Sequence, residues 1–429
     1  LNREKSTMYY RKMICVIQVK HLQPRNIIIY LYNLCQNIYN QTYIVDTSNN
    51  DKVFISGFLY TSFASFSFFS SFYLLLPVIP LYVVKLGGTP SDVGIALGLF
   101  PIASILARPF IGVYADTQGR KLYMIIGGFI FLISAILYSL TAVLFLLFLL
   151  RLLHGLGMAS FTTSSSAYIA DIIPQHRRGE AMSYFASANN LALVVGPYIA
   201  LTLVGTDNGF SIVFYVAAVL SGISILLVLP VKDTPLAAKQ NQKFFDKALY
   251  RREVVFPSMV IGVGALTYAA IIAFLPIHAQ SIGIANPGVF FTSYGLSVIG
   301  SRVVASKLID KYPRPNVVVF SAIPMLIAVA MLAFTQSLVQ LILVAILYGI
   351  GLAFLLPAAQ AFLIDRVQKE ERAKALGVFF SFLELGIGGG AIVLGLVAEY
   401  FGYRSAFIVA SIIGACGIGF FQYGVRKNW

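Results

Sequence analysis

The chain has 429 residues, 58% of them hydrophobic and 11% charged, with 31 bases against 17 acids and a net charge of +14. A soluble chain carries about a quarter charged residues, so this balance excludes a soluble globular protein and points to a chain that crosses a membrane repeatedly. The basic excess does not imply a nucleic-acid partner, because the bases lie in short stretches between apolar runs and form no stripe with interleaved aromatics. Three scattered cysteines (Cys15, Cys35, Cys416) and four histidines without a close pair suggest neither a disulfide framework nor a metal site.

Residues 1–52 read as a leader that is disordered or lies at the membrane interface. Their apolar run around 26–35 is too short to span, and no signal-peptide cleavage pattern accompanies it. Apolar runs then follow at 57–84, 91–114, 122–141, 142–170, 181–205 and 210–230. A second set lies at 256–281, 287–307, 316–335, 338–364, 375–400 and 404–424. Each is long enough to cross about 30 Å of hydrocarbon as a helix. The spacing predicts a first six-helix bundle over 53–230, a basic linker over 231–255, and a second bundle with a short tail over 256–429. Ser139 and Thr141 mark the break between spans three and four, as Thr335–Ser337 does in the second set. Asp92 is expected to cap the start of span two.

With the N-terminus inside, the bases at 120–121, 177–178, 232–252, 307–314, 366–374 and 426–427 share one side, and Lys85 and Arg404 remain on the other. That asymmetry assigns the first side, with both termini, to the cytoplasm.

Gly112–Lys121 (GVYADTQGRK) holds an acid, a glycine and two bases between two apolar runs. Each ionised group would cost about 2.5–3.5 kcal/mol in hydrocarbon, so this turn marks a membrane surface. Its elements return 194 residues later: Arg108, Asp116 and Arg120 as Arg302, Asp310 and Arg314. Asp171 matches Asp365, Arg178 matches Arg372, Ser187 matches Ser381 and Gly196 matches Gly390 at the same displacement. The chain is a tandem duplication of a membrane unit, with an even number of spans in each copy. Arg108 lies two helical turns before Asp116, on about the same face, and is expected to reach toward it.

Some groups fall inside the spans. Arg151 lies about 14 Å into span four, where a guanidinium needs a wet cavity or a partner. It reads as a substrate-anion contact, as a modulator of a proton site, or as part of a buried packing pair. His154, one turn on, reads as a coupling residue or a hydrogen-bonded packing residue. Glu384 is the carboxylate well inside a predicted span, and its partner by duplication is Asn190. An apolar surrounding favours a neutral carboxyl and water favours a charged one, as a proton carrier requires. The alternative is a glutamic acid that stays protonated between helices. No nucleophile elbow, phosphate loop or metalloprotease motif is present, so no catalytic residue is expected.

The pattern G-x-x-x-D-x-x-G-R-K at the end of a second span resembles the signature loop of the major facilitator superfamily, and the resemblance covers roughly 55–425. RLLHGLGMA from Arg151 is similar to that family's fourth-helix motif. Gly196 and Pro197, with Ser183, Ala192 and Ala200, fall at the spacing of its fifth-helix motif. The resemblance implies an all-α polytopic membrane protein, twelve transmembrane helices in two pseudo-symmetric six-helix bundles around a cavity. It implies a carrier and not an enzyme, similar to the drug/proton antiporter, sugar-efflux-like branch. It also implies a gating latch on Arg108, Gly112, Asp116, Gly119, Arg120 and Lys121, echoed by Arg302, Asp310 and Arg314, although Pro313 replaces the glycine there. Spans one, four, seven and ten would line the cavity with Tyr73, Tyr168, Tyr268 and Tyr348, joined by Asn190.

The function expected is proton-coupled efflux of a small, partly hydrophobic organic compound by a monomer in the cell membrane, without a cofactor beyond the proton gradient. A nutrient-uptake symporter, a lipid or glycolipid flippase, and a sensor that no longer transports are the alternatives.

Overall fold

The computed structural model describes residues 53–233, 251–368 and 371–427. The leader expected over 1–52 and most of the linker lie outside the described residues. The chain forms two units, 1–53 and 54–429, and the fold described below is that of the second.

The first half begins with α1 (Ser56–Leu75) and α2 (Val78–Lys85), one crossing interrupted at Pro77. Then come α3 (Pro90–Gln118), α4 (Arg120–Leu140), α5 (Leu144–Ile172), α6 (Arg178–Val204) and α7 (Gly209–Val228). The second half holds α8 (Arg252–Ser281), α9 (Gly288–Lys311), α10 (Arg314–Leu332), α11 (Leu338–Ile364) and α12 (Arg372–Arg426). Taking α1 with α2 and α12 whole, ten crossings among the described residues are long and apolar enough to span a membrane. Gly402 turns α12 at φ 82°, in the left-handed region that favours glycine, and so divides it into arms 372–401 and 403–426. Helix α9 is 24 residues long and more polar, because it carries Arg302, Lys307, Asp310 and Lys311. With the arms separated and α9 included, the described residues hold twelve segments of crossing length.

Local chemistry sets the helix ends where the sequence suggests. At α3 the Thr89 side chain accepts from Asp92 N–H at 3.3 Å, the Asp92 carboxylate accepts from Thr89 N–H at 2.8 Å, and Pro90 occupies the first turn. The break after α4 falls at Thr141, whose carbonyl accepts from the buried Tyr82 hydroxyl at 2.6 Å. Ser337 caps α11 by accepting from Gln340 N–H at 3.3 Å.

Within the first half α3 lies against α5, α4 against α5 and α7, and α1 against α6 and α7. Buried rings fill the space between α1, α4 and α5, with Phe68 stacked on Phe161 at 4.0 Å. In the second half α8 lies against α12, and α11 against α9 and α10. Large apolar side chains cover the outer surface, among them Leu140, Phe145, Leu226, Phe320 and Phe334. This suits hydrocarbon as the surrounding solvent.

Candidate functional site

Two helix pairs make most of the contact between the halves, α3 with the first arm of α12 and α6 with α9, and α8 adds smaller contacts with α2 and α3. Both pairs meet at the base-poor end of the molecule. Thr89 Oγ1 donates to Glu399 Oε2 at 3.1 Å, and Asn286 Nδ2 donates to Thr202 Oγ1 at 2.7 Å. Glycines allow the close approach of α3 and α12. A Cβ on Gly94 would meet the Ala391 carbonyl, and one on Gly98 would come within 2.8 Å of the Gly388 carbonyl oxygen. Pro101 then lies on Gly388.

One further contact ends this seam. Arg108 Nη2 donates to Glu384 Oε1 across the two halves, with side chains 30% and 19% exposed. Past it the helices part. Gly112 lies five turns from Gly94 on the same face of α3, and Gly377 five turns from Gly395 on the same face of α12. A Cβ on Gly112 or Gly377 would meet nothing within 4 Å. Among the described residues the two halves meet at the base-poor end and part at the base-rich end.

The α6–α9 seam follows the same course. Thr292 donates to the Val194 carbonyl at 2.8 Å, and Gly295 lies against the Val194 side chain. Beyond Val194 the side chains of Ser187 and Leu191 on α6 and Arg302 on α9 are exposed. Gly196 brings α6 against Tyr73 of α1, and the Pro197 carbonyl lies at the seam beside Gly288.

Of the expected cavity tyrosines, Tyr73 and Tyr268 are partly exposed and close to one another across the halves. Tyr348 is fully buried behind them, its hydroxyl 3.3 Å from Thr267 Oγ1. Tyr294, not foreseen from the sequence, completes the group, with ring centroids 6.2 Å from Tyr268 and 5.6 Å from Tyr348. Tyr168 stands apart, buried against Gly57 at the base-rich end of α1. Asn190 is partly buried on α6.

At the base-rich surface Arg120 pairs with Asp116 across Gly119 and donates through Nε to Asp171 on α5 at 3.2 Å. Gly119 has φ 109° and a Cβ there would run into the Asp233 carboxylate, so glycine is needed on both counts. Asp233 in turn accepts from Lys121 N–H at 3.3 Å at the start of α4, and Lys121 Nζ donates to the Leu229 carbonyl at 2.7 Å. The second copy repeats the ion pair at the same displacement, Arg314 Nε to Asp365 Oδ2 at 2.7 Å. The side chain of Asp310 lies outside the described residues. Pro313, at φ −54°, cannot reproduce the Gly119 backbone and instead precedes α10 as its N-cap.

The geometry revises several sequence expectations. Arg108 does not reach Asp116; eight residues are about 12 Å along a helix, and its guanidinium is taken by Glu384. Arg151 is 3% exposed, donates from Nε to the Ala96 carbonyl at 2.8 Å, and lies 4.5 Å from the Phe100 ring centre. His154 is fully buried among Phe100, Phe131 and Tyr138, its Nδ1 3.3 Å from the Tyr138 hydroxyl. Both belong to the core joining α3, α4 and α5, which is the packing alternative. Asp171 and Asp233 were not singled out, although the echo of Asp171 at Asp365 was a usable signal.

Sequence and structure comparisons agree with this arrangement. Staphylopine export protein of Staphylococcus aureus is 25% identical over 361 residues, covering 81% of this chain and 90% of that protein. Multi-drug resistance efflux pump PmrA homolog of Lactococcus lactis is 25% identical over 358 residues, covering 80% and 88%. The crystal structure of nucleoside transporter NupG superposes with a TM-score of 0.69 at 18% identity, over 86% of this chain and 99% of that one. The family described as Major Facilitator Superfamily matches residues 61–290 and 258–427. With two duplicated helix bundles meeting at glycine-lined seams, and with those matches over most of its length, this chain belongs to the Major Facilitator Superfamily of membrane transporters.

Proposed function

We propose that the chain exports a small, partly hydrophobic organic compound across the cell membrane in exchange for protons, as a monomer working by alternating access. Exporter names among its relatives support the direction. The basic end, read as cytoplasmic by the positive-inside rule, is the open one, so substrate loads from the cytoplasm.

The observation that carries the reading is the Arg108–Glu384 pair at the inner end of the α3–α12 seam. It is an ion pair between the two moving halves, partly exposed to the opening. When Glu384 is ionised, the pair holds the halves together. When a proton neutralises Glu384, the attraction falls to that of a neutral hydrogen bond and the seam weakens. Proton binding and access are thereby linked through one contact. The turn around Asp116, Gly119 and Arg120 serves as the latch at the cytoplasmic surface, with Asp171 and Asp233 holding it to α5 and to the segment after α7.

The test is a liposome assay with an imposed pH gradient and parallel binding measurements. Glu384→Gln, which stands for the protonated form, is expected to abolish gradient-driven transport while substrate binding persists. Glu384→Asp is expected to retain part of the activity. A Gln variant that still concentrates substrate at the wild-type rate would remove Glu384 from the coupling mechanism.

A further inference from the structure

The duplication makes the two seams comparable position by position, and they differ in one charge. Pro101, Arg108, Glu384 and Gly388 of the first correspond to Gly295, Arg302, Asn190 and Val194 of the second. In the first seam Pro101 meets Gly388, and the next contact inward is Arg108 with Glu384. In the second, Gly295 meets Val194. Arg302 lies seven residues on from Gly295, nearly two turns and on the same face, and Asn190 lies one turn before Val194. The same step inward gives Arg302 the place that Arg108 has in the first seam and Asn190 the place of Glu384. Where the first seam has a carboxylate, the second has a neutral amide.

Arg302 is exposed, and no carboxylate among the described residues pairs with it. A guanidinium in the wall of an opening between transmembrane helices is costly to leave uncompensated. An anion from the aqueous side answers the charge, and the planar fork suits a carboxylate or phosphate. Tyr294 lies eight residues earlier on α9, within electrostatic reach of Arg302. The partly exposed ring of Tyr268 adjoins it, and the partly exposed Tyr73 is within electrostatic reach. Together they form an aromatic, mostly apolar cluster about two helical turns from a positive charge that no carboxylate among the described residues pairs.

We propose that Arg302, with Asn190 opposite, binds an anionic group of the transported compound, whose aromatic or alicyclic body rests against Tyr73 and Tyr268, with the buried Tyr294 behind them. The substrate class is thus the amphipathic organic anions. Arg302 acts as a recognition residue and not as a copy of the first seam's pair. This rests on the carrier reading above but not on its direction or its coupling ion.

The test measures equilibrium binding to the full chain in nanodiscs, without any gradient. The probes are matched pairs: 4-phenylbutyrate with 4-phenylbutyramide, and phenyl phosphate with phenol. Wild type is expected to bind at least one anion ten-fold or more tightly than its neutral counterpart. Arg302→Gln is expected to erase that preference. Asn190→Asp, which supplies the missing carboxylate to Arg302, is expected to erase it as well while Arg302 is still present. Absence of anion binding by wild type, equal binding within each pair, or a preference retained in both variants would overturn the assignment. Because no gradient is applied, failure of proton coupling at Glu384 leaves these outcomes untouched, and failure here leaves the Glu384 assay to judge coupling by itself.

Discussion

Gly98→Ala should move this carrier out of the conformation described here. The added methyl would lie 2.8 Å from the Gly388 carbonyl oxygen and 2.6 Å from Ile392 Cγ1. The isoleucine end can rotate, but the carbonyl belongs to the α12 backbone, so the helices themselves must separate. Overpacking of this kind costs about 1–3 kcal/mol. The contact exists only while the base-poor end is closed, so the cost falls on that state alone. Alanine also raises the intrinsic helix preference of α3, but it does so in both states and cancels from their ratio. At 1.4 kcal/mol per factor of ten, the ratio of open to closed at the base-poor end should rise about 5- to 150-fold. Gly112→Ala is the matched control, because its methyl would meet nothing within 4 Å in this conformation. Pulsed electron paramagnetic resonance between spin labels at Asp207, in the turn before α7, and Arg404, at the start of the second arm of α12, reads the distance distribution at the base-poor end directly. An unchanged distribution in Gly98→Ala, or an equal shift in Gly112→Ala, would refute the argument that close backbone approach holds this end shut.

Two further outcomes follow from the base-rich surface and the first-half core. Arg120→Ala should slow transport more than Arg314→Ala at equal expression, since Arg120 holds Asp116 and Asp171 on two helices, whereas Arg314 holds Asp365 among the described residues; initial rates in vesicles decide it. Arg151→Ala should leave the substrate KM unchanged while destabilising the protein by roughly 2–4 kcal/mol, because it removes a buried charge-assisted hydrogen bond to the Ala96 carbonyl and opens a void beside Phe100. Thermal unfolding in detergent together with KM separates that packing role from substrate contact, and a large KM change at unchanged stability would restore the latter.

What the sequence determined by itself was whatever one residue's solvent preference dictates. An apolar run long enough to cross hydrocarbon has few alternatives to a helix, and charges must lie at its ends, so the spans and the turn at Gly112–Lys121 were legible without coordinates. The duplication was legible because both copies kept the same residues at one displacement, and the structure shows Arg314 and Asp365 repeating the ion pair of Arg120 and Asp171. Glu384 was legible as an isolated acid, but not its partner. Arg108 looked closer to Asp116 along one helix than to a residue 276 positions away, and only the crossing of α3 over α12 brings it to Glu384. Arg151 looked functional for its depth, yet depth does not say whether a side chain faces a cavity or a neighbouring helix. That depends on helix rotation, which is set by which small residues allow which backbones to touch. Gly155 against the Phe100 carbonyl turns α5 inward, whereas Gly94 and Gly98 bring α3 onto the other half. The tertiary structure alone decided these rotations, because they follow from the fit of two surfaces and not from the preferences of either one.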